Sequence, residues 1–392
     1  MSEWKEYKLG EVADITPGFA FKSKDFGSKG EFVVKIKDIN PPYIDLSNSD
    51  HVDLTNYDMD KLKKYLLSEG DYVVAMTGAT IGKVGKMKTH QKAYLNQRVA
   101  KINAKDGFCD DFVYYSISGD DFQTFIQNNI DSNSAQENIS ANSIARFPVM
   151  LPSLDTQHRI ASILTSLDDK IDLLHRENAT LEQMAETLFR QWFVVEAKEE
   201  WEEGKLGDIL SVKGGTTPST KEPSYWDGDI AWTSPRDVTT LNGLYLFDTE
   251  KKITQKGLEQ ISSGLLPEGT LLMSSRAPVG VLAFAEIPLA INQGYIAILD
   301  DKGYSKEFIY LWLKTNMDLV HSYSNGSTFM EISKSAFKSL DLSMPPQSEV
   351  EEFVGKVKPY FEKIRSNEIQ IQTLILTRDG LLPRLMGGEI RV

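Results

Sequence analysis

The sequence predicts an α+β protein with two tandem homologous domains, joined by two long helices that form an antiparallel coiled coil with pseudo-two-fold symmetry. Three observations support this prediction. The chain of 392 residues repeats itself, each copy contains short β-like runs broken by Gly, Pro, Asn and Ser, and each copy ends in a heptad pattern. A chain of this length also exceeds one ordinary hydrophobic core, which favours two or more domains.

The internal repeat covers nearly the whole chain. "EWKEYKLGEV" at 3–12 matches "EWEEGKLGDI" at 200–209, and "LLSEGDYVVAMTGATIG" at 66–82 parallels "LLPEGTLLMSSRAPVG" at 265–280. An Asn-Gln pair precedes a strand-like run in both copies, as Asn96-Gln97 and Asn292-Gln293. Because the matched segments keep a nearly constant separation, the pattern indicates a tandem duplication.

Each copy ends in apolar residues that alternate steps of four and three. They are Ile160, Leu164, Leu167, Ile171, Leu174, Leu181, Ala185 and Leu188 in the first copy, and Phe353, Val357, Tyr360, Ile364, Ile371, Leu374 and Leu381 in the second. Asn178 interrupts the first series, and Asn367 and Arg378 interrupt the second. This spacing is typical of a coiled-coil seam, which needs a partner to cover it.

The second helix is the expected partner of the first, and it has to return along it. We therefore expect Ile160 near Leu385, Trp192 near Phe353, and Asn178 in one layer with Asn367. A buried Asn pair fixes the register of two helices at a cost in stability. Two unrelated asparagines facing solvent are the alternative interpretation.

Domain limits follow from the ends of the heptad patterns. Pro152 and Pro345 stand where each domain stops and its helix begins. We expect the first domain at 1–152, a central long helix at 153–196, the second domain at 197–345 and a C-terminal long helix at 346–392.

Composition bounds the class of protein. A hydrophobic fraction of 41% with 25% charged residues is typical of a soluble globular chain, and a single Cys109 excludes internal disulfides and cysteine zinc sites. No run approaches the roughly 20 apolar residues of a membrane span, so we expect a cytoplasmic protein with no membrane partner. The net charge of −13 argues, taken alone, against nucleic acid.

A local basic tract answers this objection for the first copy. No acidic residue falls between Asp71 and Asp106, while lysines and glycines alternate there, as in a loop that approaches phosphates. A solvated basic face on a hairpin is the alternative. The candidate DNA-binding residues of the first domain are Gly78, Lys83, Lys86, Lys88, Lys92, Gln97 and Arg98.

The second copy has few basic residues at the matching position, so its positive charge must come from elsewhere. Glycines and hydroxyls at 214–220 can bring backbone N–H groups to a phosphate, although such a stretch is also typical of a simple turn. The candidate DNA-binding residues of the second domain are Lys213, Thr217, Ser219, Lys221, Arg236, Ser275, Arg276 and Gln293.

At this point the motifs resemble a known family. "PGFAFKSKDF", "MTGATIGKVG" and "LNQRVAKI" resemble the first half of specificity subunits of type I restriction-modification enzymes. "GGTTPSTKEPSYWDGDIAWTSPRDV", "LPEGTLLMSSRAPVG" and "INQGYIAI" resemble the second half, and "LPSLDTQHRIASIL" and "LLPRLMGGEIRV" resemble parts of the two conserved helices. The resemblance covers essentially the whole chain.

The resemblance implies a function and partners. Two target recognition domains would each bind one half of a split site in double-stranded DNA, across a gap that is not recognised. The coiled coil would dock two modification subunits, which bind S-adenosylmethionine and methylate adenine, and restriction subunits that use ATP and Mg²⁺ would join. This chain would itself be non-catalytic and bind no cofactor or metal.

Two other functions remain open from the sequence. Asn40-Pro41-Pro42-Tyr43 has the form that adenine amino-methyltransferases use on a flipped base, but no glycine-rich cofactor turn precedes it, and the second copy offers no counterpart to it. The scattered histidines show no metal spacing. A bivalent scaffold that binds protein is the other alternative, which the acidic total favours slightly.

The ends of the helices carry more apolar residues than a two-helix seam buries. They either pack under the domains or form partner-docking hot spots; the candidates are Phe189, Trp192, Phe193, Leu382, Leu385 and Met386.

The duplication also indicates where sequence specificity lies. Residues shared by both copies, such as Asn-Gln, are poor candidates for base recognition if the two domains recognise different half-sites, and are better explained as hydrogen-bonding brackets or phosphate contacts. Mismatches inside matching frames are better candidates: Arg98 against Gly294, Gly78 against Arg276, and Lys83 against Val281.

Overall fold

The computed structural model describes residues 4–130, 137–300, 302–326 and 330–392. The chain divides into two compact units: unit 1 comprises 1–169 and 375–392, and unit 2 comprises 170–374. Each unit therefore contains a share of both long helices. The domain limits drawn from the sequence separate the helices from the domains, and they stay a prediction.

Unit 1 contains two β-sheets, a two-stranded ladder and short helices. Its strands are β1 (Lys5–Lys8), β2 (Ala13–Pro17), β3 (Phe26–Gly27), β4 (Glu31–Val34), β5 (Ile39–Asn40), β6 (Tyr43–Ile44), β7 (Asp50–Val52), β8 (Leu66–Leu67), β9 (Tyr72–Ala75), β10 (Val84–Lys86), β11 (Ala93–Leu95), β12 (Val99–Ala104) and β13 (Pro148–Leu151). Its short helices are α1 (Leu9–Val12), α2 (Met59–Leu62), α3 (Asp110–Ser116), α4 (Asp120–Asn128) and α5 (Ala141–Ile144), and the long helix α6 (Leu154–Arg190) follows.

Unit 2 repeats this arrangement. After a π-helical turn at Gln191–Val195, its strands are β14 (Glu202–Lys205), β15 (Ser211–Lys213), β16 (Trp226–Thr233), β17 (Tyr245–Leu246), β18 (Lys251–Ile253), β19 (Leu271–Ser275), β20 (Val279–Ala285), β21 (Leu289–Ile291), β22 (Tyr295–Leu299) and β23 (Asp341–Met344). Its helices are α7 (Leu206–Ile209), α8 (Pro235–Thr239), α9 (Gln255–Leu258), α10 (Lys306–Thr315), α11 (Met317–Ser322) and α12 (Lys334–Lys338), and the long helix α13 (Gln347–Met386) follows.

The sheets of the two units share a common strand order, to which unit 1 adds edge strands. The larger sheet runs β2-β12-β9-β10-β6-β5 in unit 1 and β15-β22-β19-β20-β17 in unit 2. The smaller sheet contains the order β7-β4-β11 in unit 1 and β18-β16-β21 in unit 2, and β1-β13 and β14-β23 form the matching ladders. The predicted α+β class and the duplication are confirmed at the level of topology.

Two central strands are buried along their whole length, as in a sheet that is covered on both faces. Every residue of β9 ("YVVA") and of β19 ("LLMSS") is buried. The helix α10 begins at an N-cap, where the Ser305 hydroxyl accepts a hydrogen bond from the Phe308 N–H at 3.3 Å, and buries Phe308–Leu313 against the core.

Within unit 2, α6 and α13 run antiparallel. The Phe353 ring lies 5.9 Å from the Phe189 ring and 5.8 Å from the Trp192 ring, while Asn367, further along α13, contacts Asn178, which lies earlier on α6. Within unit 1, Ile160 and Leu164 share a buried core with Leu385. The two helices therefore cover each other's seam in each unit, with the predicted direction and register.

The Asn pair lies inside this seam. Asn367 is 1% exposed, and its Nδ2 donates to Asn178 Oδ1 at 2.8 Å and to Glu177 Oε2 at 3.1 Å. The predicted approach of the two asparagines is thus present. The buried Asn367 amide can form these bonds in one register of the two helices. Slipped registers, which leucines would tolerate, leave the amide unbonded and are therefore disfavoured.

A buried carboxylate ties α13 to the start of strand β17 within unit 2. Glu368 is 6% exposed, and its two oxygens accept hydrogen bonds from the Leu244 N–H at 2.7 Å and the Tyr245 N–H at 3.0 Å. Burial raises the pKa of Glu368 from 4.5 to about 7, although the two N–H donors oppose this shift.

Replacing both seam asparagines by leucine should leave stability unchanged or raise it by about 2 kcal/mol, because an apolar layer has no polar group to desolvate. Thermal and denaturant unfolding of the Asn178→Leu/Asn367→Leu chain measures this. The single variant Asn367→Leu, which leaves Asn178 without this donor, should be less stable than the double variant. A double variant clearly less stable than the wild type would show that the pair is a net stabiliser.

Glu368 should make stability depend on pH. Since its pKa is higher in the native state than in the unfolded chain, the native state binds more protons between pH 4.5 and about 7. The unfolding free energy of the wild type, relative to Glu368→Gln, should therefore fall as pH rises across this window, by at most about 3 kcal/mol. Unfolding of both chains at a series of pH values tests this. A difference that does not change with pH contradicts it.

Candidate nucleic-acid interface

The Asn-Gln segment of unit 1 is a turn between β11 and β12 held by two neighbouring loops. Arg98 O accepts a hydrogen bond from Met76 N at 2.9 Å, and Leu95 O accepts one from Phe19 N at 2.9 Å. A Cβ on Gly18 would lie 2.0 Å from Asn96 O, so only glycine fits there. Residues 17–19, 76–82 and 96–99 are named the loop cluster of unit 1, which contains the candidates Gly78, Gln97 and Arg98.

Unit 2 builds the same loop cluster from 214–217, 275–278 and 292–294. Ser275 N donates to Gly294 O at 2.8 Å, as Met76 N does to Arg98 O in unit 1. A Cβ on Gly215 would lie 1.7 Å from Ile291 O, so this glycine has the role of Gly18. The two clusters therefore share a backbone frame and differ in side chains.

The frame corrects one comparison made from sequence. Arg276 pairs with Glu331 as Thr77 pairs with Asn138, so Thr77, and not Gly78, is the counterpart of Arg276. The counterpart of Gly78 (φ +76°) is Ala277 (φ +53°), and both adopt the left-handed conformation. The sequence comparison was one residue out of step because the loop that follows is shorter in the second copy.

The Asn-Gln pair of unit 2 forms side-chain bonds within its cluster. Asn292 Oδ1 accepts a hydrogen bond from Gly294 N at 2.8 Å, and Gln293 Oε1 accepts one from Thr217 Oγ1 at 2.7 Å. These bonds favour the bracket interpretation of this pair. They also leave the Gln293 amide NH₂ as a donor for another group.

The segment 217–221 of unit 2 is held at two points. Thr217 is bonded to Gln293, and Ser219 O accepts a hydrogen bond from Trp226 Nε1 at 3.1 Å. The side chains of Ser219 and Lys221 are exposed. A loop that is fixed in this way and exposes a hydroxyl and a cation is suited to phosphate contact.

Two predicted lysines of unit 1 are engaged inside the unit. Lys86 Nζ lies 2.8 Å from Asp111 Oδ1, and Lys88 Nζ lies 2.7 Å from Asp169 Oδ1. Other elements therefore supply acids to the tract that has none in the sequence, and Lys86 and Lys88 are poor candidates for phosphate contact. Lys83, Lys92 and Arg98 are exposed and form no ion pair within the residues that the structure describes; only Arg98 belongs to the loop cluster.

The candidate DNA-binding residues of unit 2 also differ in how accessible they are. Ser275 is 3% exposed, at the end of a strand between two others, so the prediction that it contacts DNA is wrong. Arg236 lies 3.8 Å from Glu250, and Arg276 lies 4.0 Å from Glu331, both at the surface. Lys213 is exposed, with its Nζ 3.5 Å from Ser263 O.

A basic and aromatic surface that was not predicted from the sequence lies beside the loop cluster of unit 1. Phe19, which pairs with Asn96, lies 5.8 Å from the Tyr57 ring and 5.3 Å from the Tyr65 ring. Two exposed lysines contact these rings: Lys22 N donates to Tyr57 OH at 3.0 Å, and Lys64 Nζ lies 4.8 Å from the centre of the Tyr65 ring. Lys24, two residues after Lys22, is also exposed. Alternating aromatic and basic residues in "FKSKDF" were the available signal.

Two of the six docking candidates are core residues. Phe189 and Leu385 are 1% exposed, so the prediction that these two serve a partner is corrected: the domains pack on the helix pair and cover them, which heptad counting alone does not show. The Phe193 ring lies 5.1 Å from Phe308 and 4.9 Å from Phe353, but its side chain is only half-buried. The half-buried candidates are Trp192, Phe193, Leu382 and Met386.

The Asn40-Pro41-Pro42-Tyr43 segment faces the helix α6. Tyr43 OH donates to Asp168 O at 3.4 Å, and Lys88 Nζ lies 4.6 Å from the centre of the Tyr43 ring. A methyltransferase needs this aromatic face to stack on the flipped base. The geometry therefore opposes the catalytic interpretation.

In the described part of the chain, three or more His, Cys, Asp or Glu side chains never gather closely enough to hold a metal ion. Across the same residues, no helix combines the length and apolar character needed to span a membrane.

Comparison with known proteins decides the family. A model described as "Type I restriction modification DNA specificity domain" matches residues 1–183 and again 198–376. The chain belongs to this specificity family. The resemblance recognised in the sequence is thus confirmed, and each copy of the duplication corresponds to one specificity domain.

Individual relatives agree with the family. The chain is 24% identical to the type I restriction enzyme HindI specificity subunit of Haemophilus influenzae, over the full length of both, and 35% identical to the MjaIX specificity subunit of Methanocaldococcus jannaschii over 47% of this chain. The second match spans only 43% of that relative. The crystal structure of an S subunit from M. genitalium covers 98% of this chain and is covered over 96% of its own length, with a TM-score of 0.60 and 15% identity, which supports the fold.

Proposed function

We propose that this chain is the DNA-recognising, non-catalytic subunit of a type I restriction-modification complex, in which each unit binds one half of a split duplex site. The observation that carries the proposal is the duplicated loop cluster. Both clusters use the same strand ends and the same close glycine contact, while their exposed side chains differ. Two domains that recognise different half-sites need such an arrangement, because they share a backbone fold but must contact different base sequences.

The side-chain differences supply different contacts at matching positions. Arg98 in unit 1 stands where unit 2 has Gly294, and Arg276 in unit 2 stands where unit 1 has Thr77. Arg is the residue that most often forms bidentate bonds with guanine in the major groove. We therefore assign Arg98 and Arg276 as the leading base-contacting residues, with Lys22, Lys24, Lys64 and Lys221 contacting phosphates.

Partners and cofactors belong to the same proposal. The helix pair would dock two modification subunits that bind S-adenosylmethionine and methylate adenine, and restriction subunits that use ATP and Mg²⁺ would bind to that assembly. This chain would hold none of these cofactors. The chain would be located in the cytoplasm, where DNA and both cofactors are present.

The alternatives predict other behaviour. A bivalent protein scaffold has no reason to bind duplex DNA, and a self-contained methyltransferase would bind S-adenosylmethionine unaided. Binding of the full chain, with its modification subunits, to a duplex carrying the target should weaken steeply between about 50 and 200 mM salt. A flat response would favour the scaffold, and methylation by the purified chain alone would favour the enzyme.

Arg98→Ala should weaken binding to the target duplex by about 5- to 100-fold, the range expected for one lost bidentate base contact. Lys5→Ala is the matched control, since it removes one exposed cation of the same unit from β1, outside the loop cluster. Binding isotherms on target and on unrelated duplex measure both. Equal weakening on both duplexes would make Arg98 a phosphate contact, and a loss no larger than that of Lys5→Ala would remove it from the interface.

Trp192→Ala should weaken capture of the modification subunits more than it weakens DNA binding by this chain alone. Trp192 is half-buried beside Phe353 and Lys356, with Lys356 Nζ 5.3 Å from its ring, so part of its surface is open to a partner. Co-purification and duplex binding on the same preparation give the two values. Equal losses in both would show that Trp192 serves only the fold of unit 2.

A further inference from the structure

The Asn-Pro-Pro-Tyr segment has a counterpart in unit 2 that the sequence comparison missed. Tyr43 pairs in parallel with Lys86, and Tyr245 pairs in parallel with Phe284 at the matching position. Pro42 O accepts a hydrogen bond from Lys86 N, and Leu244 O accepts one from Phe284 N, both at 2.9 Å. Residues 40–43 and 242–245, which both begin with Asn and end with Tyr, are named the helix-docking loops.

The tyrosine of each helix-docking loop binds a main-chain carbonyl of the long helix that follows its domain. Tyr43 OH donates to Asp168 O of α6 at 3.4 Å, and Tyr245 OH donates to Phe361 O of α13 at 3.0 Å. Ile160 of the first copy corresponds to Phe353 of the second in the seam, and the same difference in residue number makes Asp168 correspond to Phe361. The duplication has therefore kept this bond between the same two positions.

A carbonyl inside a helix can accept this second bond. Its oxygen has two lone pairs, of which the helix ladder uses one, so the tyrosine does not compete with helix formation. Tyr245 is 5% exposed, which makes its hydroxyl dependent on this partner. The bond fixes a strand of the larger sheet, β6 in unit 1 and the edge strand β17 in unit 2, to the helix without using a bond of the helix ladder.

The surroundings of the two tyrosines differ, unlike the bond itself. In unit 2, Glu368 accepts the Leu244 and Tyr245 N–H groups, and a Cβ on Gly243 would lie 2.6 Å from its Oε2. In unit 1 the counterpart of Leu244 is Pro42, which has no N–H to give a carboxylate. There the Lys88–Asp169 ion pair lies beside the tyrosine ring.

We infer that Tyr43 and Tyr245 are positioning residues that fix the orientation of each DNA-recognising domain on the long helix that follows it. The inference rests on the proposed function. In unit 2 the larger sheet connects Tyr245 to the loop cluster. Strand β17, which contains Tyr245, forms one edge of the sheet, and β15, which leads into residues 214–217 of the loop cluster, forms the other edge. Fixing the first edge to α13 therefore fixes the angle at which the cluster meets its half-site.

The test compares duplexes that differ only in the gap between the half-sites. The full chain, assembled with its modification subunits, is titrated with its methylation target and with versions one base pair longer or shorter in the gap. Tyr245→Phe should bind the native duplex within about threefold of the wild type, while its preference for the native gap falls by about two- to tenfold, the effect of one buried hydrogen bond.

Tyr304→Phe is the matched control. Tyr304 is also buried in unit 2, and its hydroxyl donates to Pro345 O at 2.8 Å, away from the helix-docking loop. This variant should lose comparable stability and keep the native gap preference. An unchanged preference in Tyr245→Phe, or an equal fall in Tyr304→Phe, overturns the inference. A wild-type complex without any gap preference overturns the split-site proposal itself.

Discussion

The burial of the apolar seams of the two long helices is the constraint on which the rest of the structure depends. A helix of this length is not held by its own hydrogen bonds, and most of its stability comes from packing of one face. In unit 2 that face is covered by the other helix and by the domain, so Phe189, Phe353, Val357 and Phe361 belong to the same core as the sheet. A domain whose core includes helix residues cannot move without disturbing the seam.

This constraint explains which polar groups are buried along the helices. Asn367 and Glu368 are adjacent and both almost completely buried, yet one faces the other helix and the other faces the domain. Each forms directional hydrogen bonds with a single set of partners. Together they select one register of the two helices and one position of the domain on α13. The same logic applies in unit 1, where Arg378 binds Asp168 at 2.8 Å and Asp168 also accepts the Tyr115 hydroxyl at 2.7 Å. Such buried polar groups favour one arrangement of helices and domain over the alternatives, at a cost in stability.

The sequence was sufficient for features that depend on periodicity and repetition. The heptad steps predicted the direction and register of the helices, including the approach of Asn178 to Asn367, and the repeat predicted two homologous units. Features that depend on distant partners were not accessible. Lys86 and Lys88 meet Asp111 and Asp169, which lie far along the chain, and Ser275 is buried because its strand is central. The match between Pro42 and Leu244 was hidden because the two loops share only Asn and Tyr, whereas strand pairing aligns them directly.

The central claim is that the two units recognise two separate half-sites. Mapping every methylated adenine in a genome that carries the complete system, with and without this chain, tests it most directly. The account predicts one target in two specific parts separated by a gap of fixed length and free sequence, and loss of all this methylation without the chain. A single continuous target, or methylation that persists when the chain is absent, would contradict it.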